Sequence, residues 1–159
     1  VGIKLDVNFI NPFISGTIET LKVQCSIEAE AEKPYVKKEQ APPIVDIAGV
    51  IGLTSKAFTG SVSICFPMQT FLKIMSGMLG ETYKEFSSEL EDGAGELLNI
   101  IFGYAKRELN AKGYSIEKAI PTVIKGNDIK INTVSKSPSI IVPFNSSAGK
   151  FFIEIGLDS

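Results

Sequence analysis

Glu96 and Asn99 are the residues of this sequence whose types and spacing best suit chemistry. They lie in DGAGELLNIIFG, residues 92–103, inside an apolar run with helical periodicity. An amide can donate a hydrogen bond to a water molecule and also accept one from it, so it can orient that water, although it is a poor base. Such a group suits the hydrolysis of a phosphoryl group, where positioning matters more than proton removal. A bare Glu-x-x-Asn is also common on solvated helix faces, so the pair alone does not establish a site.

The surrounding stripe strengthens the functional interpretation. At about 100° per residue, Asp92, Glu96, Asn99 and Gly103 fall on one side of a helix. The opposite side carries an apolar stripe that predicts burial: Leu90, Ala94, Leu97, Ile101 and Ala105.

Glycines are unusual in this helix, because each costs about 1 kcal/mol relative to alanine inside a helix. The segment contains Gly93, Gly95 and Gly103. Gly103 is expected to leave the stripe flat beyond Asn99. A flat patch would allow the surface of a partner protein to approach closely.

Composition excludes several classes of function. The chain has 159 residues, no histidine and a net charge of −2. Histidine-dependent hydrolysis and histidine-ligated zinc are therefore excluded, and the chain has no basic run that would indicate a nucleic-acid partner. No apolar stretch is long enough to span a membrane, and no signal peptide is recognised, so we expect a cytoplasmic protein. Cys25 and Cys65 are expected to be buried free thiols, although a disulfide remains an alternative.

The elements that must position the stripe follow from periodicity and from turn residues. A first helix is predicted over residues 6–25, with Pro12 either in its first turn or at a kink. A charged connector over 28–43 is expected to hold a short edge strand near Tyr35. The remaining predictions are strands over 45–53 and 60–66, a helix over 69–79, a long helix over 83–111 that ends at Lys112-Gly113, and strands over 122–126, 128–134, 139–144 and 150–157. This order predicts an α+β sandwich, with two long helices packed on a largely antiparallel sheet.

The two long helices can be aligned at an offset of 88 residues. Asn11 then matches Asn99, and Leu21 matches Leu109. The stripe of the first helix would be Lys4, Asn8, Asn11 and Ser15, which has no carboxylate. The alignment indicates an internal pseudo-repeat with a Glu/Asn pair in the second copy only. Two amphipathic helices would also align by their period alone.

These motifs together resemble a known family. Asp92, Glu96 and Asn99 in DGAGELLN, followed by Pro121 in IPTVIKGNDIKI, resemble the signature of the CheC/CheX/FliY chemotaxis phosphatases. Two longer stretches, FINPFISGTIETL and GVIGLTSKAFTGSVSICFPMQTFLKIMSGMLG, resemble the CheX branch. The resemblance implies a CheC-like fold and a single CheX-like domain over residues 1–159.

The resemblance also implies an activity and a site. The expected reaction is hydrolysis of the aspartyl phosphate of a CheY-like response regulator, with Asn99 holding the attacking water and Glu96 contacting the lysine of the receiver's phosphate site. Asp92 and Gly103 would belong to the partner-binding surface, and the alternative for Asp92 is a charge on the helix surface with no contact to the partner. Mg²⁺ would come with the receiver, no metal site is expected in this chain, and a homodimer is expected. Two alternatives stay open, namely a non-catalytic receiver-binding module and a structural dimer with a plain solvated stripe.

Overall fold

The computed structural model describes residues 7–38, 40–117, 119–131 and 138–158. These residues form three helices, α1 (Val7–Cys25), α2 (Met68–Leu79) and α3 (Ser88–Ala111). They also form seven strands: β1 (Ala29–Ala31), β2 (Tyr35–Val36), β3 (Ile47–Thr54), β4 (Thr59–Phe66), β5 (Thr122–Lys125), β6 (Ile140–Ser146) and β7 (Phe151–Asp158). The three predicted helices are confirmed, in the predicted order.

The strands form one sheet in the order β1-β6-β7-β4-β3-β5, and β2 also pairs with β6. The paired strands are antiparallel. Alternate strand residues such as Ile64 and Ile153 join the three helices in the main hydrophobic core. Their sequence neighbours Cys65 and Phe152 point to the other face of the sheet, where they belong to a smaller cluster. The predicted α+β fold with an antiparallel sheet is therefore confirmed.

The sheet has an internal symmetry that supports the pseudo-repeat. If β1, β3 and β4 are exchanged with β5, β6 and β7 respectively, the strand order reads the same from the opposite edge. Each half begins with a long helix, and α1 and α3 pack against one another. Gly16 of α1 lies against Tyr104 and the Ile101 carbonyl of α3, where a Cβ atom would be crowded. The two helices approach closely at this glycine.

Helix α1 continues through Pro12, which lies beyond the first described turn and is buried. The alternative that placed Pro12 in the first turn is therefore wrong for the described helix. Helix α2 begins directly after Pro67 and ends at Gly80, which has a left-handed φ of 77°. The side chain of Asp46 accepts a hydrogen bond from the backbone N–H of Met68 at 2.8 Å. This carboxylate supplies a partner for an otherwise unsatisfied N–H at the positive end of α2.

Helix α3 begins five residues later than the sequence predicts, at Ser88 instead of Tyr83. The segment before it is held by α2. The backbone N–H of Tyr83 donates to the Ser76 hydroxyl at 3.0 Å, and the ring of Phe86 lies 6.1 Å from that of Phe71. These contacts compete with helix formation over the segment. The predicted end is confirmed, because Lys112 caps the helix and Gly113 has a φ of 93°.

The predicted strand over 128–134 is wrong in its described part. Residues 128–131 form no strand, and 132–134 lie outside the described residues. Asp128 has a positive φ of 47°, and the N–H of Ile129 donates to the Val45 carbonyl at 2.7 Å. The segment crosses the smaller cluster, where Ile129 and Ile131 pack as covering residues. The edge strand predicted near Tyr35 is confirmed as β2, whereas β1 was not predicted.

Cys25 and Cys65 are both free and buried, as predicted. Burial raises the pKa of the Cys25 thiol to about 11. Burial also raises the pKa of Cys65, and the nearby Glu154 carboxylate raises it further. Within the described part of the chain, no helix combines the length and hydropathy that a membrane span requires.

Candidate functional site

Helix α3 buries the apolar stripe that periodicity predicts. Leu90, Ile101 and Ala105 are completely buried, and Ala94 and Leu97 are almost completely buried. The stripe with Asp92, Glu96 and Asn99 faces away from this core, and all three side chains are exposed. The polar side of the helix is therefore available to a partner along its length.

A close contact with the sheet fixes the position of Asn99. Gly49 of β3 leaves room for the side chain of Leu98, and a Cβ atom at Gly49 would collide with that side chain. Gly49 pairs directly with Val123 of β5. Helix α3 therefore lies close to β3 at Leu98, the residue before Asn99. This contact places Asn99 beside Val123.

A shallow groove of about 600 Å³ runs between the exposed side of α3 and β5. Its lining is Glu91, Asp92, Gly95, Glu96, Asn99, Ile100 and Val123. The three predicted polar residues of the stripe therefore lie in one groove. Glu96 and Asn99 are three residues apart, so their side chains project from the same face of adjacent helical turns.

The glycines of α3 have different roles. A Cβ atom at Gly95 or Gly103 would have no atom within 4 Å, so the surface at these positions is open. Gly93 instead lies against the Met75 sulfur of α2, where a Cβ atom would come to 3.1 Å. The expectation of open space at Gly103 fits the structure, and the same is found at Gly95. Gly93 serves the packing of α3 on α2.

Gly103 does not line the groove. It lines a second, more enclosed cavity on the other side of Asn99, and Asn99 contributes to both. The structure thus brings Asp92, Glu96 and Asn99 together and places Gly103 in the adjoining cavity. Pro121, the other residue of the sequence signature, lies immediately before β5 and so precedes the strand that supplies Val123.

The groove is acidic, and any hydrolysis in it would depend on how the attacking water is oriented. Glu91, Asp92 and Glu96 supply its charge, and Asn99 is the amide beside them. Among the described residues, no group of three or more histidine, cysteine, aspartate or glutamate side chains could hold a metal ion. The groove can therefore orient water through Asn99 and attract a cation of a partner through its carboxylates.

The chain matches a family model described as "Chemotaxis phosphatase CheX" over residues 47–145, more than half of its length. The chain belongs to the CheX family. The match contains β3, β4, α2 and the whole of α3, and therefore all four residues predicted for the site. The resemblance to the CheX branch is confirmed.

Individual members of the family are similar over most of the chain. The CheY-P phosphatase CheX of Thermotoga maritima is 29% identical over 130 residues, which are 81% of this chain and 83% of that protein. A CheC-like superfamily protein from Shewanella sp. PV-4 is 37% identical, with a TM-score of 0.90, and the match covers 98% of this chain and 100% of that one. The CheX–CheY–BeF3–Mg²⁺ complex from Borrelia burgdorferi contains a chain that is 27% identical, with a TM-score of 0.77 and coverage of 97% and 100%.

Within this CheX-family fold, sequence reasoning missed the residues that complete the groove and the cavity. For Val123 the available signal was its place in a predicted strand two residues after the signature residue Pro121, which does not show that it faces Asn99. The cavity walls come from α1, β3 and the segment after α3. No local pattern could have shown that these separate segments meet beside Asn99.

Proposed function

We propose that this protein hydrolyses the aspartyl phosphate of a phosphorylated CheY-like receiver domain on the exposed groove of α3. The position of Asn99 carries the proposal, because an amide held between the groove and the adjoining cavity can orient a water molecule toward a bound phosphoryl group. Membership of the CheX family supports phosphatase activity. The complex of a CheX with CheY supports a receiver as the partner.

In the proposed reaction, the water oxygen attacks phosphorus in line with the bond to the aspartyl oxygen. That bond breaks, the receiver regains its aspartate carboxylate, and inorganic phosphate leaves with both protons of the water. Asn99 orients the water and takes no proton, because an amide is a poor base. Its contribution is the geometry of attack, which the packing of Leu98 on Gly49 supports.

Glu96 is proposed to dock the receiver by an ion pair with the lysine of its phosphate site. Glu96 is exposed one helical turn from Asn99, so a partner lysine can reach it while the phosphoryl group lies at Asn99. Asp92 would extend the same acidic surface, and Gly103 would leave space for the partner. Mg²⁺ would arrive with the receiver, and its charge would assist hydrolysis of the phosphoryl group.

Two further properties belong to this proposal. We propose a homodimer, as the resemblance to CheX implies, and a cytoplasmic location. The single-domain assignment of residues 1–159 likewise stays a prediction.

The decisive experiment measures phosphate release from a phosphorylated receiver in the presence of the wild-type protein and of Asn99→Ala. The variant is expected to lose at least about a hundredfold in kcat, because the water is no longer oriented. Asn11→Ala is a matched control, since Asn11 is the exposed counterpart in α1 and lies in no predicted site. It should retain the wild-type rate.

Two results would contradict the proposal. An Asn99→Ala variant with unchanged kcat would remove Asn99 from the mechanism. A wild-type protein that binds the phosphorylated receiver but does not accelerate phosphate release would support the non-catalytic binding module instead.

A further inference from the structure

An apolar cavity of about 220 Å³ adjoins the groove at Asn99. Its apolar walls come from three parts of the chain, namely α1, β3 and α3 with the segment that follows it: Phe13, Ile51, Leu53, Phe102, Leu109 and Ile116. Asn99 and Gly103 complete the lining on the exposed side of α3. The volume is several times the roughly 30 Å³ that one water molecule occupies, so the cavity can hold a side chain.

The wall that follows α3 is fixed by hydrogen bonds. The Asn110 side chain accepts from the Ile116 N–H at 2.7 Å and donates to the Ile116 carbonyl at 3.2 Å. The N–H of Glu117 donates to the Thr54 carbonyl of β3 at 2.9 Å. These bonds fix the segment after α3 to the end of α3 on one side and to β3 on the other. The cavity is therefore built into the fold and needs no rearrangement to accept an occupant.

The chemistry of the cavity differs from that of the groove. Lys106 and Glu117 contribute opposite charges to its lining, and the rest is apolar apart from Asn99. A phosphate or another anion would find no excess of positive charge here. An apolar side chain would instead displace water from the apolar walls, and the burial of apolar surface favours its binding.

We propose that this cavity receives a large apolar side chain of the receiver that docks on the groove. The inference rests on the proposed function and adds a determinant of partner specificity to it. The receiver is the occupant that the structure favours, because Asn99 lines both spaces and a protein docked at Asn99 also covers the cavity. Open space above Gly103 gives the side chain a path into the cavity. A buried apolar anchor beside a polar contact surface is a common arrangement of binding hot spots.

The first test fills the cavity without touching Asn99 or Gly103. Ala119 is half-buried and lines the cavity, so Ala119→Leu adds three carbon atoms to its interior. Ala111→Leu is the matched control, since it adds the same atoms at the exposed end of α3. We expect Ala119→Leu to raise KM for the phosphorylated receiver about tenfold with kcat within twofold of wild type. Ala111→Leu should leave both constants unchanged.

Three outcomes of this test would overturn the inference. They are an unchanged KM in Ala119→Leu, an equal rise in both variants, and a change confined to the oligomeric state measured by sedimentation. The last outcome would make a second copy of the chain the occupant.

A second test needs no substitution and so does not depend on the variant folding. Isoleucine methyl groups can be observed by NMR while a receiver activated with BeF3 is added. Ile100 lines the groove, Ile51 and Ile116 line the cavity, and the exposed Ile44 lies in neither. Shifts at Ile100, Ile51 and Ile116, with Ile44 unchanged, are expected.

The methyl shifts also distinguish a failure of this inference from a failure of the proposed function. A shift at Ile100 without shifts at Ile51 and Ile116 would show receiver docking without use of the cavity, and this inference would fail alone. No shift at any of these positions, together with no acceleration of phosphate release, would contradict the proposed function itself.

Discussion

At the scale of single residues, the candidate site depends on two neighbouring side chains with different tasks. In the proposed function, Asn99 orients the attacking water and Glu96 holds a cation of the partner. The docking role of Glu96 rests on the resemblance to the CheC/CheX/FliY family. The Glu/Asn pair itself could be predicted from sequence, by residue type and a spacing of three within a helix. The position of Val123 opposite Asn99 could not, because it depends on the pairing of β5 with β3.

Because Glu96 is proposed to dock the receiver and Asn99 to orient the water, Glu96→Gln should change KM for the receiver. The substitution keeps the shape of the side chain but removes the charge that would pair with a receiver lysine. KM for the phosphorylated receiver should rise about tenfold, equivalent to about 1.4 kcal/mol. The rise should be largest at low ionic strength, where exposed charges are least screened.

Glu108→Gln provides the control, because Glu108 is an exposed carboxylate of the same helix outside the groove and the cavity. It should leave KM and its dependence on salt unchanged. If Glu96→Gln lowered kcat alone, with KM constant at every salt concentration, Glu96 would have to act in the chemical step instead of in docking.

At the scale of secondary-structure elements, the important quantity is the distance of α3 from the sheet. Helical periodicity predicted the buried stripe and the end of α3, because both depend on residues close in sequence. It placed the start at Tyr83 because it could not anticipate the hydrogen bond from Tyr83 to Ser76 of α2. Alternating apolar residues likewise predicted a strand over 128–134, but Ile129 and Ile131, in the described part of that segment, instead cover the second face of the sheet.

The approach of α3 to β3 at Gly49 yields a prediction at this scale. Gly49→Ala introduces a Cβ atom into the space of the Leu98 side chain, so α3 must shift or Leu98 must change rotamer. We expect a loss of about 1–3 kcal/mol in the free energy of unfolding, typical of an overpacked core. A lower kcat should accompany it, because Asn99 moves with the helix. Urea titration and phosphate release measure the two effects.

Gly52→Ala is the matched control in the same strand, where a Cβ atom would have no neighbour within 4 Å. Its effect on stability should be much smaller, and kcat should be unchanged. The double variant Gly49→Ala/Leu98→Ala should lose less free energy of unfolding than the sum of the two single losses, since the smaller side chain relieves the collision. Equal effects of Gly49→Ala and Gly52→Ala would show that the approach of α3 to β3 tolerates the added atom.

At the scale of the whole molecule, the two faces of the sheet are used differently. The three helices cover one face, and α3 carries the proposed docking groove on its exposed side. The other face carries a smaller cluster, and beside it lies the ion pair of Lys37 and Glu154, whose carboxylate is almost completely buried. The Lys37 ammonium group donates to Glu154 at 3.0 and 3.2 Å and to the Ile131 carbonyl at 2.6 Å. Strand periodicity predicted β7 but could not reveal a partner 117 residues away in sequence.

This ion pair gives a prediction that separates stability from activity. Lys37→Met would leave the buried Glu154 carboxylate without its cation, and we expect a loss of about 3 kcal/mol in the free energy of unfolding. Lys38→Met, at the exposed neighbouring lysine, should have little effect, and Lys37→Met/Glu154→Gln should recover much of the loss because no buried charge remains. Because the pair lies on the opposite face of the sheet from α3, kcat should stay at the wild-type value at temperatures where the variant is folded. A loss of kcat in the folded Lys37→Met protein would instead show that the two faces of the sheet are coupled.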